Sequence, residues 1–93
     1  MKTDRAIELK ILEQDLDRCV NAKQEFTPLY RRTYGLVFHN DELAAKHLKV
    51  SRTVVRRWRT GLVIPNGTKA VLKFLRNQCR EEIRQLYQLD RLC

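Results

Sequence analysis

The ten residues from Ser51 to Thr60 concentrate side chains that can bind a nucleic acid. The segment, SRTVVRRWRT, contains four arginines, two threonines and one serine. A guanidinium group is always charged, pairs with phosphate, and can bond to two acceptors on the edge of a guanine at once. This composition therefore suggests contact with a polyanion.

If the segment is a helix, its polar and apolar residues fall on opposite faces. At about 100° per residue, Val54, Val55 and Trp58 share one side. The other side carries the polar residues Arg52, Thr53, Arg56 and Arg57, with Arg59 at its edge. A helix divided in this way has the width and the chemistry to enter the major groove of DNA.

The positive charge of the chain is concentrated around this segment. Residues 31–80 contain twelve Lys and Arg against two Asp and Glu, a net charge of +10 in a chain whose total is +8. The flanks are nearly neutral, since residues 1–30 hold five against six and residues 81–93 hold two against three. Charge of one sign repels itself unless an anion binds it, so we expect residues 31–80 to carry the function.

Composition narrows the class of protein. With 93 residues, of which 43% are apolar, the chain can form one hydrophobic core, and we predict a single domain over residues 1–93. Its uncharged stretches are too short to cross a bilayer, and its N-terminal sequence lacks the apolar core of a signal peptide. We expect a cytoplasmic protein, associated with the nucleoid when bound to DNA and without a membrane partner.

The cysteines and histidines do not suggest a metal site. Cys19, Cys79 and Cys93 form no CxxC pair, and His39 and His47 are too far apart for ligand spacing on one helix face. The sequence also lacks a GxSxG motif, a Walker loop and carboxylates paired at catalytic spacing. We expect no metal, no cofactor and no enzymatic activity.

Hydrophobic periodicity, together with caps and breakers, predicts an all-α domain of five helices. The predicted helices cover residues 3–23, 28–34, 41–48, 51–60 and 68–92. Small polar residues stand at three of the predicted starts: Thr27 (before Pro28), Asn40 and Ser51. Gly35 and Gly61 stand at two of the predicted ends, where glycine supplies a left-handed conformation.

Apolar residues at helical spacing predict the buried faces of the two flanking helices. In the first helix these residues are Ile7, Ile11, Leu12, Leu16, Cys19 and Val20. In the last helix they are Val71, Leu72, Phe74, Leu75, Cys79, Ile83, Leu86, Leu89 and Leu92. Because the first helix lies outside the basic segment and the last one extends beyond it, these two helices are the candidate dimer surfaces.

The helices over residues 41–48 and 51–60 have the spacing of a helix-turn-helix motif. Ala44 and Ala45 are small enough to let the two helices approach closely, and Lys49 lies in the tight turn between them. The first helix would cross the DNA backbone while the second enters the groove.

The sequence of this pair follows the pattern AAxxLxVSxxxVxxW from Ala44 to Trp58, with Gly61 and Pro65 after it. In this pattern the chain resembles the phage repressor and Cro type of helix-turn-helix protein, over residues 41–75. The resemblance implies that the recognition helix begins at Ser51.

The resemblance also implies a role for each polar residue of that helix. The base-reading residues would be Arg52, Thr53 and Arg57, and the phosphate-binding residues Ser51, Arg56, Arg59 and Thr60. An arginine bonded to both guanine acceptors discriminates by about 1–3 kcal/mol, so we expect at least one G·C pair in each half-site.

Three departures from the family pattern shift the expected phosphate contacts. Lys49 replaces the usual turn glycine and requires a strained or shifted turn. Asp41 and Glu42 stand where the family often has a phosphate-binding residue, and Leu62 and Val63 replace a commonly basic loop. We therefore expect phosphate contacts from other basic residues: Arg31, Arg32, Lys46, Lys69 and Lys73.

These features together favour a homodimeric repressor of phage or prophage type. Its two recognition helices would bind the half-sites of a palindromic operator, about 34 Å apart. Two alternatives remain open: an architectural or excision factor that bends a recombination site, and an antirepressor module that binds an acidic protein. Tyr30, Tyr34 and Phe38 have rings for stacking on single strands, but no predicted sheet presents them.

Overall fold

Five α-helices and one π-helical turn make up the protein. The computed structural model describes the backbone of residues 2–92 and the side chains of residues 4–88. The elements are α1 (Lys2–Asp17), α2 (Ala22–Thr33), a π-helical turn (Tyr34–Phe38), α3 (Asp41–Leu48), α4 (Arg52–Thr60) and α5 (Thr68–Leu92). The described residues form no strand, so the predicted all-α, five-helix fold is confirmed. Leu89 and Leu92 of the predicted stripe lie outside the described side chains, as does Cys93.

The core forms where α1 and α2 pack against the long helix α5. The buried residues of α1 are Ala6, Leu9, Leu12 and Leu16, and those of α2 include Phe26, Leu29 and Tyr30. Those of α5 are Leu72, Leu75, Cys79, Ile83 and Leu86. One face of each helix is buried at helical spacing, and α3 and α4 close one side of the core with Ala44, Val55 and Trp58.

Ion pairs at the edge of the core set the register of α1 against α5. Three pairs run in antiparallel order: Arg5 with Glu82 at 3.5 Å, Glu13 with Arg80 at 2.7 Å, and Asp17 with Arg76 at 2.6 Å. Their side chains are partly exposed, so each pair contributes at most about 1 kcal/mol to the free energy of unfolding. The pairs therefore favour one register of α1 along α5, but they contribute little to the free energy of unfolding.

The boundary between α1 and α2 corrects the sequence prediction. α1 ends at Asp17 and not at residue 23, and α2 begins directly after Asn21 and not near Thr27. The Asn21 side chain accepts a 3.3 Å hydrogen bond from the N–H three residues later, and its own N–H donates to Oε2 of Glu25 at 3.1 Å. Because an asparagine side chain can replace the missing helical bonds, it starts a new helix without a glycine or proline nearby.

The far end of α2 also differs from the prediction. Pro28 lies inside the helix, and Gly35 does not end it in a left-handed conformation. Helical backbone continues through the π-helical turn, which closes with a 2.7 Å hydrogen bond from the N–H of His39 to the carbonyl of Tyr34. His39, with φ at 70°, takes the left-handed conformation expected of Gly35.

α1 turns only part of the predicted face to the core: Leu12 and Leu16 are buried as predicted, but three other residues are not. Ile7 and Ile11 are 51% and 48% exposed, and Val20, beyond the end of the helix, is 90% exposed. Ala6 and Leu9 are buried in their place. Ile7 and Ile11 lie roughly 160–200° around the helix from Leu9, and contact with α5 selects the side that contains Leu9.

Candidate nucleic-acid interface

Local hydrogen bonds shape the turn between α3 and α4. The side chains of Asn40 and Ser51 each accept a hydrogen bond from the N–H three residues later, at 2.7 and 3.2 Å, which confirms both predicted caps. Lys49 adopts the left-handed conformation (φ 59°, ψ 43°), the strained turn expected where the glycine is missing. Gly61, with φ at 83°, ends α4 as predicted.

Aromatic packing holds α4 against α2. Trp58 is 9% exposed and meets Tyr30 edge-on, with a centroid distance of 6.0 Å; Phe26 lies on the same side of α4. Val55, one turn earlier, is fully buried. Such edge-to-face contacts add about 0.5–1.5 kcal/mol each to the burial of the rings. The inner face of α4 is therefore fixed, and its orientation with it.

The opposite face of α4 is open to solvent. Arg52, Thr53, Arg56 and Arg57 are exposed, as the helical wheel predicts. Within the described part of the chain, Arg52, Arg56 and Arg57 pair with no carboxylate. Three unpaired guanidinium groups therefore share one exposed helix face.

A polar cleft of about 440 Å³ lies between this face and the start of α3. It is lined by Asn40, Asp41, Glu42, Arg52, Thr53 and Arg56. One wall carries carboxylates and the other guanidinium groups, so a base edge in the cleft would meet acceptors from α3 and donors from α4.

Arg59 and Thr60 each have an interaction partner within the protein. Nη2 of Arg59 lies 3.4 Å from Oδ2 of Asp41, and the guanidinium carbon lies 5.0 Å from the centroid of the Tyr34 ring. The Thr60 hydroxyl donates a 3.0 Å hydrogen bond to the carbonyl of Arg56. A phosphate contact from Thr60 would have to replace this backbone acceptor, and one from Arg59 would have to form beside the carboxylate of Asp41.

Asp41 links these residues to the π-helical turn. The Tyr34 hydroxyl donates a 2.9 Å hydrogen bond to Oδ1 of Asp41. Burial, and then this hydrogen bond, raise the pKa of Tyr34 above its ordinary value. Tyr30 is fully buried beside the same group, with no hydrogen-bond partner for its hydroxyl among the described residues, and burial raises its pKa strongly. No sequence motif indicates this cluster, because its members come from four elements.

The additional basic residues predicted to bind phosphate do not lie together. Arg31 of α2 donates a 2.7 Å hydrogen bond from Nε to the carbonyl of Arg59, at the end of α4. Arg32 pairs with Asp15 of α1 at 2.7 Å. Lys46 is exposed on α3, whereas Lys69 and Lys73 line a separate cleft beside the end of α1. Arg31 and Lys46 lie on elements that contact α4.

Other site classes have no candidate in the described residues. Over that part of the chain, no three His, Cys, Asp or Glu side chains are grouped closely enough to hold a metal ion. None of the described helices is both long and apolar enough to cross a membrane. His47 stacks on Phe38, with a centroid distance of 5.8 Å.

Comparisons with known proteins return no match: no family model, no curated protein and no solved structure is significantly similar to the chain.

Proposed function

We propose that the protein binds double-stranded DNA in a sequence-specific manner, with α4 as the recognition helix in the major groove. The contrast among its arginines supports this function best. Arg76 and Arg80 of α5 lie 2.6 and 2.7 Å from carboxylates, whereas the three outer arginines of α4 have no such partner in the described chain. Unpaired guanidinium groups on a helix whose other face is buried suit a polyanionic ligand.

Position along α4 divides the roles of these residues. Arg52 and Thr53 lie in the first turn, directly after the Ser51 cap, and the first residues of a recognition helix are those that reach base edges. Arg57 faces the same exposed side and is the third base-reading residue. The remaining polar residues on or near this face bind phosphate: Ser51, Arg56, Thr60 and Lys46. Arg59, which the sequence also suggested for phosphate, is instead paired with Asp41.

The biological role that follows is transcriptional regulation by a homodimer, most simply repression by occupying an operator. One recognition helix offers modest affinity, whereas two copies related by a two-fold axis bind both half-sites of a palindrome. This is the role of the phage and prophage regulators that the sequence pattern resembles.

α1 offers the better dimer surface of the two flanking helices. The described apolar residues of α5 pack mainly on α1 and α2, whereas Ile7 and Ile11 of α1 stay exposed beside a groove of about 430 Å³ that reaches Leu36. Glu8 and Arg31 both line this groove. A second copy fits it as occupant, because a two-fold axis through the groove would bring the carboxylate of each copy near the guanidinium of the other.

Selection from a pool of random duplexes tests DNA binding directly. Retained duplexes are sequenced after binding at several salt concentrations, with the wild type, Arg52→Ala and Arg57→Ala. Arg80→Ala is the matched control, because it removes an arginine from α5. The expected result is a two-fold symmetric site with a G·C pair in each half, blurred by either α4 substitution and unchanged by the control.

Two other outcomes would redirect the function. Salt-sensitive retention without an enriched sequence would indicate a phosphate-binding surface, and so an architectural role. No retention of any duplex would leave a protein partner as the ligand of the basic face.

A further inference from the structure

Asp41 is paired with Arg59 at the edge of the exposed face of α4. Its two carboxylate oxygens are divided between two partners: Oδ1 accepts from the Tyr34 hydroxyl at 2.9 Å, and Oδ2 lies 3.4 Å from Nη2 of Arg59. The side chains of Asp41 and Arg59 are 22% and 34% exposed, so the pair is shielded but remains within reach of solvent.

We propose that Asp41 is a specificity-determining residue: its carboxylate keeps Arg59 bound within the protein and so withholds it from the DNA backbone. This inference rests on the proposed DNA-binding function. Arg59 is the last arginine of α4, and its neighbours Arg56 and Arg57 on the outer face are free of such a partner in the described chain. One carboxylate therefore separates the arginine at the edge of α4 from those that face solvent.

Two contacts hold the guanidinium group of Arg59 in place, and a third fixes its backbone. Besides Asp41, the ring of Tyr34 lies beneath its guanidinium group at 5.0 Å, which adds a cation–π attraction. Its backbone carbonyl accepts the hydrogen bond from Nε of Arg31 at 2.7 Å. A phosphate would either displace Asp41 from Arg59 or bind beside its carboxylate, which repels the phosphate.

Withholding one cation lowers the part of DNA affinity that carries no sequence information. On a duplex without the operator, the protein can adopt any position that lets a free arginine reach a phosphate. On the operator, base contacts fix the position of α4, so a free Arg59 gains less. Releasing Arg59 should therefore raise non-specific affinity more than specific affinity.

A double-mutant cycle tests this role. Dissociation constants are measured on the selected duplex and on a scrambled duplex, from low to moderate salt, for the wild type, D41N, R59Q and the D41N/R59Q double variant. The matched cycle uses Glu81 and Arg84, an ion pair within α5, as E81Q, R84Q and the double variant. Each substitution changes the net charge by the same amount in both cycles.

The expected result is specific to the Asp41 cycle. D41N should steepen the salt dependence on the scrambled duplex by about 0.9 in log–log slope, with affinity about five- to tenfold higher at low salt. R59Q should show the same slope as the wild type. The D41N/R59Q double variant should return from the steeper slope of D41N to that of the wild type. The Glu81 cycle should show no change of slope.

Three outcomes would overturn the inference. If R59Q alone lowers the slope by about 0.9, Arg59 already binds phosphate in the wild type. If D41N and the double variant bind alike, the effect comes from the lost charge and not from Arg59. If D41N binds both duplexes as the wild type does, the Asp41 carboxylate does not keep Arg59 from the DNA backbone.

Folding and DNA binding are checked separately from this role. Thermal melting shows whether D41N folds. If it does not, the slope of R59Q still tests the inference, because a slope about 0.9 below that of the wild type would show that Arg59 binds phosphate. Failure of the wild type to bind any duplex would remove the proposed function together with this inference. Binding with an unchanged slope would remove the inference alone.

Discussion

The indole ring of Trp58 meets the phenyl ring of Phe26 edge-on, with centroids 5.8 Å apart and ring planes at 88°. This contact joins the buried side of α4 to α2, which also packs on α5. The side chains that face solvent on α4 are therefore oriented by a residue on its buried side.

Loss of the indole should be among the most destabilising changes in the chain. Trp58→Ala is expected to lower the free energy of unfolding by about 3–5 kcal/mol, because it removes a large buried ring and its aromatic contacts. Tyr87→Ala, at a ring that is 45% exposed, should cost less than about 1 kcal/mol. Urea denaturation followed by circular dichroism measures both. Equal losses for the two variants would mean that Trp58 is not part of the core.

The turn between α3 and α4 should be improved by a glycine. Because Lys49 has φ at 59°, Lys49→Gly relieves backbone strain and should raise the free energy of unfolding by about 0.5–1 kcal/mol. Lys46→Gly, the same substitution inside α3, should lower it by about 1 kcal/mol. Urea denaturation of both variants gives the comparison. A loss of stability in Lys49→Gly would show that its side chain has a stabilising role that outweighs the strain.

Stability should fall in alkaline solution partly through a buried thiol. Burial raises the pKa of Cys79 from 9.0 to about 12, with a smaller contribution from Glu13. The folded protein thus keeps a proton that the unfolded chain releases above pH 9, so the free energy of unfolding falls as the pH rises from about 9 to 12. Below pH 9 this contribution is fully present.

Comparison with Cys79→Ala isolates that contribution. The variant starts from a lower stability at neutral pH, but its free energy of unfolding should fall less steeply above pH 9, by up to about 1.4 kcal/mol per pH unit. Urea denaturation across this pH range measures both curves. Parallel curves would show that the Cys79 thiol does not titrate with unfolding.

Dimer formation should depend on the exposed face of α1. Ile11→Glu places a charge from each copy in the proposed interface and should weaken the dimer about a thousandfold, for a burial cost of about 2 kcal/mol per copy. Leu62→Glu is the matched control, since Leu62 is 78% exposed on the loop after α4. Sedimentation equilibrium measures both variants. Dissociation by Leu62→Glu alone would place the interface on that loop, and a monomeric wild type would remove the dimer from the proposal.

The part of the fold that sequence predicts best is the part set by local chemistry. The caps at Asn40 and Ser51 and the end at Gly61 act through hydrogen bonds or backbone angles within a few residues, so their residue types are sufficient evidence. The outward face of α4 follows in the same way from helical periodicity, once the helix is correctly bounded.

Hydrophobic periodicity could not predict the features that depend on residues far away in the sequence. Whether Ile7 or Leu9 faces the core depends on where α5 packs, and both choices fit a helical pattern. Arg59 lies at the edge of the wheel, but the carboxylate that binds it is 18 residues earlier in the chain. Residue type alone cannot distinguish an arginine that is free from one that is held.

The number of residues in the π-helical turn affects the direction in which the chain leaves α2 toward α3 and α4. A π-helical turn contains about one residue more than an α-helical turn, so the segment Tyr34–Phe38 resembles an α-helix with a single insertion. An insertion of this kind rotates the rest of the same helix by about 100°. Deletion of Gly35 would restore the α-helical count and turn the direction in which the chain leaves α2, so that the link to α3 and α4 would no longer match the packing of Trp58 on Phe26.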